Sequence, residues 1–339
     1  MRAPSLLFVV SLFAACGGGG SIRSFKPITG APRVVRALSF DANGGVMVVG
    51  GSSMASLQIQ RPAGPRDPAW QVAANVPVST SVEGRLFSQG KDRWAAIGAS
   101  VYHLDDTASF KWSQVPVPMG ALQILGVDAT GAVYASQPQS VVRWAPGDAS
   151  WTPLPDSASA IGVDSVVASD GTLYGTWLSA GVLRVTRQGT TKAVDCSTPD
   201  LGGCNTRLAY LTLDGADNLY FLLCPFTLDG RWAYELPKGA SAPKRLAPLP
   251  AKYLYCRSLQ ALGDGTLILH ATTDNTLTAS AALFRLAPGS GAFEKLTADD
   301  PDNYVEVTDI ATHYVARDAT TVYGYGDGAF ASGVVQSQP

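Results

Sequence analysis

A short hairpin signature recurs along this chain every 40 to 55 residues, and few folds can accommodate such a spacing. Its clearest copy is Ala168-Ser-Asp-Gly-Thr-Leu-Tyr-Gly175, the tip and outgoing arm of a β-hairpin. Degenerate copies are Asp41-Ala-Asn-Gly-Gly-Val-Met47, Asp128-Ala-Thr-Gly-Ala-Val-Tyr134, Asp214-Gly-Ala-Asp-Asn-Leu-Tyr220, Gly263-Asp-Gly-Thr-Leu-Ile268 and Asp318-Ala-Thr-Thr-Val-Tyr323. Asp-Gly and Asn-Gly pairs tolerate positive φ and so suit tight hairpins. Aligning the last residue of each copy gives Met47, Trp94, Tyr134, Tyr174, Tyr220, Ile268 and Tyr323, with Gln89-Gly-Lys-Asp-Arg-Trp94 the most eroded.

A second motif follows the first. Val142-Arg-Trp-Ala-Pro-Gly147 corresponds to Tyr234-Glu-Leu-Pro-Lys-Gly239 and Phe284-Arg-Leu-Ala-Pro-Gly289, and more loosely to Leu57–Pro62, Tyr102–Asp106 and Leu183–Arg187. Each alternates apolar and polar residues, as a half-buried strand does, then ends in turn residues. Short segments opening on an aromatic come next, at Trp70, Trp112, Trp151 and Phe293, placed to pack between repeats.

One repeat is therefore an inner strand, a turn, two further strands, a Pro/Gly turn and an outer strand. Leu122–Asp128 and Asp164–Ala168 are examples of the innermost strand. Residues 22–339 divided by seven give about 45 each, the size of one four-stranded blade. The expectation is an all-β, seven-bladed β-propeller of four-stranded antiparallel blades. After Tyr323 only Gly328–Val335 remains to form another strand, whereas Ile22–Pro27 looks like an orphan outer strand. The N-terminal strand is expected to complete the last blade, close the ring and leave no long open edge.

The N-terminus reads as an address. Met1-Arg2 is positive, and Ser5–Ala15 is apolar but too short to span a bilayer as a stable helix. The run ends in Phe13-Ala14-Ala15-Cys16, followed by Gly17–Gly20 and Ser21. It resembles the lipobox of bacterial lipoproteins, with Phe13 where that family usually has Leu. The resemblance implies a signal peptide over 1–15, lipidation (palmitate) of Cys16, a flexible tether over 16–21, and a membrane partner through that anchor. The implied address is the bacterial cell envelope, and Gly17 in place of Asp implies the outer membrane in a Gram-negative cell. An ordinary secretory signal with an incidental Cys is the alternative.

Cys196, Cys204, Cys224 and Cys256 then form an even set in an exported chain, which reads as disulfides. Three pairings are open. The favoured one, Cys196–Cys204 with Cys224–Cys256, would contribute about 2.5 and about 3.7 kcal/mol on the chain-entropy model. No Cys-x-x-Cys occurs, which argues against a zinc ribbon.

The hairpins resemble those of the NHL and gluconolactonase/regucalcin-like propellers. Enzymes of the gluconolactonase group hold a divalent metal in the central channel through Glu, Asn and Asp. Glu83, Glu235, Glu294 and Glu306 do not fall at the matching inner-strand positions, so no metal set and no cofactor is assigned. Asp128, Asp164, Asp214 and Asp309 lie near inner-strand ends, where they edge a channel or cap turns. Of three histidines, His103 shares its slot with Arg143, Arg184 and Arg285 and reads as a solvated strand position. His270 ends a second strand; His313 is a candidate base without an identified partner, so no catalytic residue is assigned. The Gly50-Gly51 pair is the kelch doublet, but it occurs once where kelch needs it in nearly every blade. A net charge of −2 and no basic cluster exclude a nucleic-acid footprint. The functional expectation is an anchored binding or scaffolding module, with a protein or carbohydrate ligand on one face. A lactonase-like hydrolase or lyase using the channel, and a purely structural envelope protein, are the alternatives.

Overall fold

A computed structural model describes residues 22–338 apart from 23, 54–55, 65–66, 80–83, 119–122, 139, 158–163, 178–180, 197–200, 202–207, 224–230, 254, 274–280, 298–312 and 327–333. Among the described residues there are 28 strands and no helix. The first, β1, is Ser24–Pro27. Blade 1 is β2 (Val34–Phe40), β3 (Val46–Gly51), β4 (Gln58–Gly64) and β5 (Asp67–Val72); blade 2 is β6 (Gly84–Gln89), β7 (Asp92–Ile97), β8 (Ser100–Asp106) and β9 (Lys111–Val115). Blade 3 is β10 (Gln123–Val127), β11 (Val133–Gln137), β12 (Ser140–Trp144) and β13 (Thr152–Pro153); blade 4 is β14 (Ser165–Val167), β15 (Leu173–Trp177), β16 (Gly181–Thr186) and β17 (Gly189–Asp195). Blade 5 is β18 (Leu208–Leu213), β19 (Leu219–Leu223), β20 (Trp232–Leu236) and β21 (Lys244–Pro248); blade 6 is β22 (Tyr255–Ala261), β23 (Leu267–Thr272), β24 (Ala281–Leu286) and β25 (Glu294–Lys295). Blade 7 takes β26 (His313–Ala316), β27 (Val322–Tyr325) and β28 (Val334–Gln338), and β1 is its outermost strand, with Ser24 opposite Gln338 and Pro27 opposite Val335.

The chain is thus a seven-bladed β-propeller of four-stranded antiparallel sheets, closed by its N-terminal strand. Blade 2 keeps its place although its signature is eroded. It turns in two residues, Gly90-Lys91, with Gly90 at φ +58°. The last C-terminal strand begins at Val334, where the expected Gly328–Val335 segment ends.

Alternation along each strand sends side chains to the two neighbouring blades in turn, and the core is a set of seams. Between blades 1 and 2, Met47, Val49, Leu57 and Ile59 meet Ala95, Ile97, Tyr102 and Leu104. The outer-strand aromatics finish these seams: Trp112 is fully buried in that cluster, Trp151 packs between blades 2 and 3, and Phe293 packs on the cluster of blades 5 and 6.

Every 1→2 and 3→4 turn lies on one face of the disc, the hairpin face. Asp128 shows how the signature works. Its Oδ1 accepts from the N–H of Thr130 and Ala132, at 2.8 and 3.0 Å, and its Oδ2 accepts from the Tyr134 hydroxyl at 3.0 Å. Asp214 repeats this with Ala216, Asn218 and Tyr220. The Gly of the next blade's turn rests on the pair: at Gly171 (φ +83°) a Cβ would strike the Tyr134 hydroxyl. Signature residues therefore stack blade on blade as well as bending each hairpin.

A second set of polar links surrounds the axis. Ser39 and Ser88 hydroxyls meet at 3.3 Å between blades 1 and 2. The Gln89 amide donates to the carbonyls of Val127 and Val167, at 2.8 and 3.1 Å, reaching blades 3 and 4. Asp217 accepts from Ser169, Thr212 accepts from the N–H of Ala261, and Gln260 both donates to and accepts from the backbone of Ala316. The N–H of Val35 donates to Gly326 across the closing seam, at 2.9 Å.

Candidate functional site

Innermost strands run from the opposite face, here the mouth face, down to the hairpin face; from β2 to β26 each touches the next, and the ring closes through β2 on β27. Four of them carry a bulge at the mouth end: at Arg36 in β2, Leu125 in β10, Tyr210–Leu211 in β18 and Arg257 in β22. A bulge inserts an extra residue that breaks the strict alternation between seams: Leu125 and Leu211 still pack into their seams, whereas in β2 and β22 the extra residue is an arginine. In β2, Val34 and Ala37 pack toward blade 2 and Val35 and Leu38 toward blade 7, with Arg36 the extra residue between them, its Cβ beside Gly84 of blade 2. Arg257 stands the same way between Cys256 and Ser258. Tyr210 has φ +63°, and its hydroxyl donates to the Cys256 carbonyl at 2.6 Å.

Chemistry concentrates where blades 6 and 7 meet at this mouth. Arg257 Nε donates to Thr272 Oγ1 at 3.2 Å. On the same strand as Thr272, His270 faces blade 7, and its ring meets the edge of Tyr314 at 4.7 Å. His270 is buried, and among the described residues neither ring nitrogen has a hydrogen-bond partner. Burial, reinforced by the nearby charges of Arg257 and His313, pushes its pKa down to about 3, so the imidazole is neutral at pH 7. His313, exposed at the start of β26, stacks on Tyr325 at 5.2 Å, and burial pushes the Tyr325 hydroxyl up to about 12. Asp164 edges the same mouth and accepts from the Tyr210 N–H at 3.3 Å.

The other candidates of the sequence have structural work. Asp128 and Asp214 cap turns. Glu235 and Glu294 pair with Lys244 and Arg285, at 3.0 and 2.6 Å. His103 is partly exposed as expected but packs its ring, tilted by 44°, against Trp94 at 4.3 Å, and Arg143 and Arg184 likewise lie over Tyr134 and Tyr174. Among the described residues no His/Cys/Asp/Glu group could hold a metal. Cys16, Glu83, Cys204, Cys224, Glu306 and Asp309 lie outside the described residues. Cys196 and Cys256 are buried in blades 4 and 6 with blade 5 between them, which rules out pairing them with each other.

On the hairpin face, a cleft of about 740 Å³ opens between blades 7 and 1. Its charged lining is already engaged. Asp41 accepts from Asn43 and Gly45, Arg61 donates to Gln71, Thr107 and Ala108, and Arg317 donates to Asp318 and Thr321. The mouth at blades 6 and 7 is the better candidate.

No family model and no curated protein matches the sequence. Solved structures do. The chain resembles a catalytically inactive variant of virginiamycin B lyase from Staphylococcus aureus with quinupristin, at 13% identity and TM-score 0.59, over 93% of this chain and 99% of that one. It also resembles oligogalacturonate lyase from Vibrio parahaemolyticus, at 9% identity and TM-score 0.64, over 94% and 98%. YCF48 bound to D1 peptide aligns at 13% identity and TM-score 0.58, over 94% and 97%. These likenesses show the fold. Lyases and a peptide binder share it, so function must be argued from the site.

Sequence reasoning placed His270 near the end of its strand but gave it no role, and it missed Arg257 and Tyr210. The available signal was broken alternation: in Tyr255-Cys-Arg-Ser-Leu259 two polar residues adjoin inside an inner strand.

Proposed function

We propose that this propeller is an exported binding module, lipid-anchored through Cys16 at a bacterial envelope, the outer membrane in a Gram-negative cell. Its ligand would enter at the mouth between blades 6 and 7. The observation that carries this reading is His270: a buried imidazole whose two nitrogens have no partner among the described residues, close to a cationic Arg257. Leaving buried polar atoms unpaired costs about 1–3 kcal/mol, a cost that a hydrogen-bonding ligand would remove. Neutral imidazole, guanidinium and tyrosine together suit a ligand bearing hydroxyls and a carboxylate, such as an acidic carbohydrate.

The test is a thermal-shift panel on the soluble fragment Ser21–Pro339, disulfides intact, against acidic and neutral sugars, peptides, lactones, divalent metals and chelator. A ligand at one hundred times its Kd adds about 2.7 kcal/mol of stability. An acidic-sugar shift lost in Arg257→Gln is the expected result. A flat panel, or a shift indifferent to Arg257→Gln, would remove this site and favour a structural envelope role. In the same cells, Cys16→Ala should move the protein out of the membrane fraction; unchanged fractionation would count against the anchor.

One observation favours a second reading, a channel hydrolase or lyase. A neutral imidazole at pH 7 keeps a lone pair facing the site, and proton abstraction there requires a bound substrate to raise the basicity that burial has depressed. Turnover of a lactone or uronate that disappears in His270→Gln would establish that reading over simple binding.

A further inference from the structure

We infer that the cleft between blades 7 and 1 on the hairpin face is a second binding site, and that its ligand is a neutral sugar. It stands apart from the mouth at blades 6 and 7 and needs no membrane anchor.

The cleft opens because blade 7 breaks the signature that seals the seams after blades 3 and 5. In blade 3 the N–H of Asp128 donates to the Ala132 carbonyl across the hairpin; in blade 7 the residue in that place is Arg317, whose N–H donates to Thr321 at 2.9 Å. Arg317 turns its guanidinium onto Asp318 and Thr321. Among the described residues no carboxylate therefore accepts from Tyr323, as Asp128 does from Tyr134 and Asp214 from Tyr220.

The neighbouring strand differs too. Directly across from Tyr134 and Tyr174 stand Arg143 and Arg184, which lie over those rings; across from Tyr323 stands Gln336. Arg143 also donates to the Tyr134 hydroxyl, at 3.2 Å, a bond that Gln336 does not make to Tyr323. The next blade registers the gap. A Cβ at Gly171 or Gly265 would press on the tyrosine hydroxyl of the preceding blade, whereas at Gly44 the nearest described atom is Arg317 Cδ, at 3.4 Å.

What remains is a space of about 740 Å³, inside the range of about 300–1,000 Å³ usual for small-ligand sites. Tyr323 lines it and is only 4% exposed, yet its hydroxyl has no hydrogen-bond partner among the described residues; nor has the side-chain amide of Gln336. Buried polar groups are normally paired, so these two mark a place that a ligand completes.

Charge selects that ligand. Arg317 already pairs with Asp318 at 3.0 Å, and Arg61 spends its guanidinium on Gln71, Thr107 and Ala108. An anion would find no unspent arginine among the lining residues and would meet Asp41; an ammonium would meet two guanidinium groups. A phenol and an amide, which both donate and accept, suit hydroxyls. Ile28 and Pro62 add apolar surface for the face of a sugar ring.

The experiment is saturation-transfer NMR on the full-length protein, purified in a sugar-free detergent. The probes are glucose, galactose, mannose and maltose, with glucuronate and glucosamine as charged controls. Transfer from a neutral sugar is expected in the wild type and in Arg257→Gln, weakened several-fold in Tyr323→Phe and lost in Gln336→Arg. The last variant restores the arginine of blades 3 and 4 and fills the cleft, so its melting temperature should hold or rise while binding disappears. Should it fail to fold, Tyr323→Phe decides, because it removes one oxygen and keeps the ring packed on Phe40. Silence from every neutral sugar, preference for glucuronate or glucosamine, or transfer unchanged in Tyr323→Phe or in a folded Gln336→Arg overturns the site. Neutral-sugar binding abolished by Arg257→Gln would place that ligand at the mouth and overturn it as well.

Discussion

Acidification should weaken this protein through His270 before its carboxylates respond, and one substitution should abolish that sensitivity. An unfolded histidine titrates near 6.5, whereas His270 in the fold is pushed down to about 3. The groups facing it all favour the neutral form or leave it alone: Arg257 from β22 is cationic, His313 from β26 can only add positive charge, and burial drives the Tyr314 hydroxyl up. Below pH 6.5 the unfolded chain takes up a proton that the folded chain refuses until about pH 3. Stability is therefore full above about 6.5 and falls as pH drops, by about 1.4 kcal/mol per unit inside that window. At pH 5 the loss is about 2 kcal/mol. A melting entropy of about 2.1 cal/mol/K per residue, over a domain of about 320 residues, converts this into about 3 °C. His270→Leu has similar volume and no nitrogens to leave unpaired, so it should be neutral or stabilising at pH 7.5. Thermal melts of both proteins at pH 7.5 and pH 5 form the assay, with the wild type expected to lose about 3 °C more than the variant. Carboxylates such as Asp318 enter later: burial alone would raise it, but hydrogen bonds from Thr320, Arg317 and Thr321 outweigh that and hold it low, equally in both proteins. Parallel losses in the two proteins would show that His270 is not held neutral by the fold, and would withdraw the central observation behind the proposed site.

Two further perturbations test the architecture. Asp128→Ala removes a buried carboxylate that serves two backbone N–H groups and Tyr134, and should cost about 3–5 kcal/mol in a urea melt; Gly171→Ala, strained at φ +83° and driven into the same tyrosine, should cost about 2–4 kcal/mol, and silence in both would refute the stacking of one turn on the next. Deleting residues 22–30 exposes the whole edge of β28 and should produce a lower melting temperature and oligomers on size-exclusion chromatography; an undiminished, monomeric fragment would mean that β1 does not secure the ring.

Much of the fold is legible because hairpin chemistry repeats at fixed distance while the rest of the sequence drifts. Asp128 and Asp214 look alike since each must satisfy the same turn amides. Trp94 is nearly lost to view because its hairpin bends through Gly90-Lys91 and has no turn for an Asp to cap. The site is harder to read for a related reason. Asp164 and Asp128 both sit at inner-strand ends, yet one opens its strand at the mouth and the other closes its strand at a turn, and composition does not distinguish them. Arg36 and Arg257 owe their direction to a single extra residue in a strand, which appears in sequence only as a stumble in alternation. Arg143 and Arg184 read as solvated, but their guanidinium groups cover tyrosines, a contact between strands that no local pattern announces.

The pairing of β1 with β28 also bears on when this protein can become itself. The two strands are separated by almost the whole chain, and closing a loop of about 310 residues costs about 5 kcal/mol of chain entropy on the (3/2)RT ln n scale, before any constant term. Blades 1 to 6 can form in order as they emerge, since each is contiguous in sequence. Blade 7 cannot, because its outer strand is made first and its inner three last. During synthesis, the earliest strand of the domain must therefore wait, unpaired, for the last one, and the ring's final folding step is the meeting of β1 and β28.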